Sequence, residues 1–283
     1  MTDSDNNSEK LKEILVALDH SYHSRTALET AAVIAQLLQA RIHGIFVRED
    51  KWFRLSELPS LAAVDELTGR ISPVNQESIE QEIRSLEKAI HEHFELISRQ
   101  HELSHTWSSV KGVVAEKILE IAKDSDIITI GTRGRSYLKS RSKKIGSTAL
   151  KIIQTSDKPV LVLQKNYTPE RSPIVVFDGS NRSAFGLSIA SDMARENETS
   201  MAVIDISEAY PSEEQIQTLD NNLRDKKNAQ IVTLKQPDMG QFLFLVNKLK
   251  GGILILPKTK RFTKRNILEH IIENAESPVL LAG

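Results

Sequence analysis

Apolar residues in this chain fall into short unbroken runs, separated by longer stretches where they recur every third or fourth position. The runs at 13–18, 42–47, 105–110, 126–131 and 159–164 are read as strands, most of them rich in Ile, Val and Leu. Helical periodicity covers 23–39, 76–100, 113–123 and 146–156 between them, and in the first of these Ala27, Leu28, Ala31, Ile34, Ala35 and Leu38 mark one face. Such alternation predicts a parallel sheet covered on both faces, with right-handed crossovers. The stretch 51–75 breaks the pattern: it holds Trp52, Phe53, Leu55, Leu58, Leu61, Val64 and Leu67, is punctuated by Pro59 and Pro73, and is too long for an ordinary connection. It is either a locally packed excursion or a lid or partner surface beside the second strand's end.

The pattern then starts again. Glu13-Ile14-Leu15-Val16-Ala17-Leu18-Asp19-His20-Ser21 is answered by Pro173-Ile174-Val175-Val176-Phe177-Asp178-Gly179-Ser180, each an apolar strand ending in Asp ahead of a helical pattern. The copies also close alike, with Asp157-Lys158-Pro159-Val160-Leu161-Val162 matched by Glu276-Ser277-Pro278-Val279-Leu280-Leu281. Two modules follow, 1–167 and a shorter 168–283, joined by the polar segment 165–172. Their closing strands are apolar and would be edges if each module stood alone, which predicts that they pair as an internal pseudo-dimer.

The chemistry gathers where the strand Ile127-Ile128-Thr129-Ile130 meets Gly131-Thr132-Arg133-Gly134. Glycines at a strand end let backbone N–H groups approach a ligand, and Gly146-Ser147-Thr148 opens a helix whose first N–H groups favour an anion. Arg133, Arg135, Lys139, Arg141, Lys143 and Lys144 lie on this stretch, so it describes a phosphate cradle. Asp19 and Gly131 both end strands, which places them on one rim of the sheet, where ligands of open α/β folds bind. A ligand-free turn is the alternative for Asp19 and the glycines, and a solvated loop for the cations.

Composition sets limits. The 283 residues carry a net charge of −1, so the basic loop is local and nothing points to nucleic acid. With no cysteine, disulfide scaffolds and cysteine-based metal or redox chemistry are excluded. The polar, acidic first ten residues are unlike a signal peptide, and no apolar run reaches membrane-spanning length, so a cytoplasmic protein with no membrane partner is expected.

The text Gly-Thr-Arg-Gly-Arg-Ser at 131–136 and Gly-Ser-Thr-Ala at 146–149, together with the repeated strand ending in Asp, resembles the universal stress protein family in its tandem form. The resemblance covers nearly the whole chain, with 51–75 its least constrained segment. It implies two Rossmann-like, adenine nucleotide alpha hydrolase-like domains, each an open parallel five-stranded sheet with helices on both faces. It also implies ATP or a related adenine nucleotide, with magnesium optional. Base and ribose would lie near Ala17, Leu18, Asp19 and Val47, and the phosphates on Gly131, Arg133, Gly134, Gly146, Ser147 and Thr148. This chain departs from the family pattern in one respect: eleven residues, not nine, separate Gly134 from Gly146.

The second module lacks the cradle, with Pro257 and Lys260 standing for Gly131 and Gly134, and Arg265 and Asn266 for Gly146 and Ser147. It is expected to be a structural pseudo-copy. His101-Glu102-Leu103-Ser104-His105 spells a zinc-protease signature but spans a helix end and a strand start, so no metal is expected there. His91 and His93 are expected on the surface. No P-loop, kinase loop or nucleophile elbow occurs, and no catalytic residues are assigned. The expected role is a stress-response binding protein whose nucleotide alters its conformation or its affinity for a protein partner or a second copy. The alternative is a nucleotide-free interaction protein, and a third reading is slow ATP hydrolysis.

Overall fold

The computed structural model describes residues 12–49, 76–134, 145–207 and 229–283, together with the backbone of 62–64 and 71–73. The first half runs β1 (Glu13–Leu18), α1 (Tyr22–Leu38), β2 (Arg41–Glu49), β3 (Ala62–Val64), β4 (Ile71–Pro73), α2 (Gln76–Gln100), β5 (His105–Gly112), α3 (Val114–Ile121), β6 (Ile127–Gly131), α4 (Ser147–Thr155) and β7 (Val160–Leu163). The second half follows with β8 (Ile174–Phe177), α5 (Asn181–Glu196), β9 (Met201–Asp205), β10 (Ala229–Thr233), α6 (Met239–Leu249), β11 (Leu254–Pro257), α7 (Lys260–Thr263), α8 (Arg265–Asn274) and β12 (Val279–Ala282). In the first half the observed bounds fall within about two residues of those read from periodicity. The 51–75 excursion lies outside the described residues, except that β3 and β4 pair antiparallel.

Ten strands form one sheet in the order β10-β9-β8-β11-β12-β7-β6-β1-β2-β5. Each half contributes its five strands in the same order: third, second, first, fourth, fifth. All pairings are parallel except β7 with β12, where Val160, Leu161 and Val162 face Leu281, Leu280 and Val279. The expected pairing of closing strands is present, and it corrects the expectation of two separate five-stranded sheets. An apolar edge strand exposes a full row of unpaired N–H and C=O groups, and β7 and β12 meet that need in each other. The result is one mixed sheet.

Alternation of side chains divides the interior into two cores that run across the joint. One face packs Ile14, Val16, Leu18, Phe46, Leu161, Leu163, Val175, Phe177 and Leu280 beneath α1, α2 and α5. The other packs Leu15, Ile45, Val47, Ile128, Ile130, Val160, Val162, Val176 and Leu281 beneath α3, α4, α6 and α8. Both faces are covered, as the unbroken apolar strands require.

Local signals set the helix ends. Ser21 caps α1 by accepting from Ser24 N, and Gln39 at φ 53° ends it with its N–H returned to Ala35 O. Ser180 repeats the cap on α5 through Ser183 N. The polar linker holds one anchor that composition conceals: Tyr167 is buried, its N–H donates to Thr30 Oγ1, and its hydroxyl accepts from Asn197 Nδ2 at 2.7 Å.

The halves also cap each other's helices. Lys165 Nζ and Gln164 Nε2 both reach Ala275 O, at the C-terminus of α8. In return Lys258 Nζ donates to Ser156 O, at the C-terminus of α4. Cations suit helix C-termini, where carbonyls lack partners.

Candidate functional site

The rim beyond the carboxyl ends of β1 and β6 gathers most of the residues singled out in the sequence. Asp19 follows β1, its Oδ1 accepting from Ser21 N at 3.0 Å, while Ser21 Oγ reaches across to Arg133 O at 3.3 Å. These contacts lock the first turn of α1 against the turn after β6.

Glycine at 131 and 134 answers close approach and not backbone strain, since neither stands among the positive-φ residues. A Cβ on Gly131 would stand 2.7 Å from the His23 backbone carbon and 2.7 Å from its Cβ. A Cβ on Gly134 would stand 2.6 Å from Asp19 Oδ2, so the carboxylate lies directly over this glycine. Contacts this short exclude a side chain unless the neighbour moves.

The long loop is closed at its base. Thr132 N donates to Leu163 O at 2.9 Å, and Gly146 N donates to Thr132 O at 2.8 Å. Residues 135–144, which carry Arg135, Lys139, Arg141, Lys143 and Lys144, lie outside the described residues. Gly146 is buried, Ser147 exposed and Thr148 half-buried at the start of α4. Gly146 gives α4 no side-chain cap, and the first turn holds no acidic residue. The start of α1 is therefore capped by the Ser21 side chain, whereas the start of α4 has no side-chain cap from Gly146.

Ala17 and Val47 share the face covered by α3 and α4, forming an apolar floor beside this helix start. Leu18 does not join them: its side chain belongs to the opposite core, beneath α1. Only its backbone remains near the rim.

His23 was not legible as a site residue. It sits in the first turn of α1, half-buried, with Asp19 and Arg133 close by. Burial first, and then the Arg133 guanidinium, hold its imidazole below the ordinary histidine range, with Asp19 opposing them.

The second half closes the equivalent space. Arg182, at the position matching His23, donates from Nη1 to Lys258 O at 2.8 Å, and α7 fills the loop with Phe262 buried. The cap of α8 is Lys264, one residue before the position that counting back from Pro278 suggests. Lys258 is 8% exposed. Burial chiefly, and then Arg182, bring its ammonium down to about 8, with Asp157 opposing. Between that value and an ordinary lysine value of about 10.4, the unfolded chain binds a proton that the folded chain does not, so stability rises with pH across this window. Below it the folded protein carries the cost of a buried charge. Lys258→Met is expected to flatten this rise, read from urea unfolding at pH 7 and 9.5.

The zinc-like signature separates as its position suggests. His101 lies just past α2 with Nδ1 2.8 Å from Gln36 Oε1, while His105 opens β5 and meets Glu95 Oε1 at 3.1 Å. Among the described residues no group of three His, Asp or Glu is placed to hold a metal, and no helix is long and apolar enough to cross a membrane. His91 keeps a surface position, its side chain 43% exposed while it stacks on Trp107 with ring centroids 4.8 Å apart, whereas His93 is half-buried and lines a small cavity with Leu18, His20 and Ile90.

A model of the universal stress protein family matches residues 10–164, more than half of the chain. Among solved structures, a universal stress protein from Archaeoglobus fulgidus DSM 4304 superposes with a TM-score of 0.70 at 13% identity, over 95% of this chain and 97% of that one. A candidate universal stress protein from Pseudomonas aeruginosa UCBPP-PA14 superposes with a TM-score of 0.57 at 16% identity, over 96% and 92%. At such identities the likeness is one of fold. A comparison with curated proteins finds no match.

Proposed function

The chain belongs to the universal stress protein family, and from that premise we propose that it is a tandem member, with domains at 1–167 and 168–283, that binds ATP or a related adenine nucleotide in the first domain alone. The observation that carries this reading is the Gly146 N to Thr132 O bond, which holds the uncapped start of α4 beside Gly131 and Gly134 whatever the length of the intervening loop. The phosphates would rest on Gly131, Gly134, Gly146, Ser147 and Thr148, with Arg133 beside them. Asp19 would accept from ribose hydroxyls, with Ala17 and Val47 beneath the base. The nucleotide supplies negative charge and a large planar group, and these residues bind and orient it. No trio of ligands for magnesium stands among the described residues, so any such ion would arrive on the phosphates.

The output is regulatory: nucleotide must favour one conformation, or one partner-binding state, over another. The protein acts in the cytoplasm as a stress-response binding protein, with a protein partner or a second copy reading its state. A nucleotide-free interaction protein is the second reading, favoured by the eleven residues between Gly134 and Gly146. Mass spectrometry of ligand released from freshly purified protein, followed by calorimetry with ATP, separates them. One adenine nucleotide per chain is expected, and ligand-free protein that takes up neither ATP nor AMP would favour the second reading.

A further inference from the structure

His23 is half-buried in the first turn of α1, and its main chain and Cβ are pressed against Gly131 more tightly than a side chain there would allow. Its Nδ1 is buried and has no hydrogen-bond partner among the described residues. An imidazole in the first turn of a helix faces the positive end of the dipole, which disfavours its charged form. Two charged groups bear on the ring: Arg133, from the turn after β6, and Asp19, from the end of β1. The edge of the Tyr22 ring lies beside it, with centroids 5.6 Å apart. The other basic groups of this turn are engaged together, with Arg25 Nη2 2.7 Å from a His20 ring nitrogen.

In the free site two devices, burial and a neighbouring cation, thus disfavour the imidazolium, with Asp19 opposing them. The second of these changes when a polyanion settles on Gly131 and Gly134. Phosphate oxygens compensate Arg133 and put negative charge within reach of the ring, which then favours the imidazolium. An uncharged histidine in a phosphate site would be a weak donor, whereas a protonated one makes a charge-assisted hydrogen bond.

We infer that His23 is a phosphate-contacting residue of this site, and that it takes up a proton from solvent when the nucleotide's phosphates arrive. The inference rests on the nucleotide reading above. It adds a residue that the glycine and Asp pattern does not contain, and it links nucleotide affinity to pH. The proton comes from bulk solvent and returns to it on release, so no other reactant is needed.

Calorimetry of the full chain with ATP, in two buffers of different ionisation heat, counts the protons. At pH 7 the wild-type protein is expected to take up a fraction of a proton per nucleotide, and to bind about tenfold more weakly at pH 8 than at pH 6. His23→Gln is expected to lose the uptake and to bind equally at both pH values once the ligand's own titration, common to both proteins, is subtracted. His23→Asn gives the same comparison if the glutamine variant folds poorly, and the wild-type proton count needs no variant. ATP binding with no proton uptake, or with the same pH profile in wild type and variant, overturns the role of His23 and leaves the nucleotide site standing. No ATP binding by any of the proteins overturns both.

Discussion

Calorimetric titration of the full chain with ATP is expected to lose its signal, with affinity falling by 100-fold or more as an order of magnitude, when Gly134 is replaced by Val. The Cβ alone would stand 2.6 Å from Asp19 Oδ2, so the carboxylate must swing away from the position where it would accept from ribose. The γ-carbons would cover the backbone N–H groups that are to face the phosphates. Two contacts, one at each end of the ribose-phosphate unit, are lost together. The fold should survive, because the obstructing atom is the far end of a side chain and Gly134 lies past the end of β6, in neither core. An unchanged urea midpoint beside a lost titration would separate this from unfolding. Gly131→Val makes a poor substitute: its clash is with the His23 main chain, so it tests the fold as much as the site. Replacing Lys143 and Lys144 together by Ala is expected to weaken binding only a few-fold, because salt screens the attraction between lysine charges and a phosphate. Wild-type affinity in Gly134→Val would move the phosphates off this turn altogether.

The strands and the Asp–glycine rim could be read from the chain because they rest on local rules. Unbroken apolar runs mark buried parallel strands, and a Ser two residues after a strand-end Asp marks a helix cap, as Ser21 and Ser180 both show. The joint was legible for the same reason, since an apolar terminal strand needs a partner. What stayed hidden depends on contacts distant in sequence. Nothing in Tyr22-His23-Ser24 shows that β6 brings Gly131 against His23, or that Ser21 will reach Arg133, 112 positions away. Lys258 looks like one more cation in a basic stretch, and only the antiparallel joint carries it to the end of α4. The face that Leu18 takes was hidden too, for adjacency to Asp19 says nothing of which side of the sheet an alternating side chain joins.

The joint itself should make the two halves unfold as one. Leu161 and Leu280 are cross-strand partners, 1% and 2% exposed, and both belong to the core that holds α1 and α5. On the other face Val160, Val162, Val279 and Leu281 join α4 to α8. Neither half has a core closed without the other, so the chain should show a single cooperative transition. Both tryptophans, Trp52 and Trp107, lie in the first half, which makes their fluorescence a reporter blind to the second half except through the joint. Leu280→Asp places a carboxylate in apolar surroundings with no partner, and is expected to cost more than about 4 kcal/mol, a large part of an ordinary domain's stability. The urea midpoint should fall by more than about 1 M, in tryptophan fluorescence and far-UV circular dichroism alike, although the substitution lies in the last strand of the second half. A tryptophan transition that stays in place while part of the helical signal melts earlier would mean two independent cores. A signal arising at the cradle could then not reach the second half through the sheet.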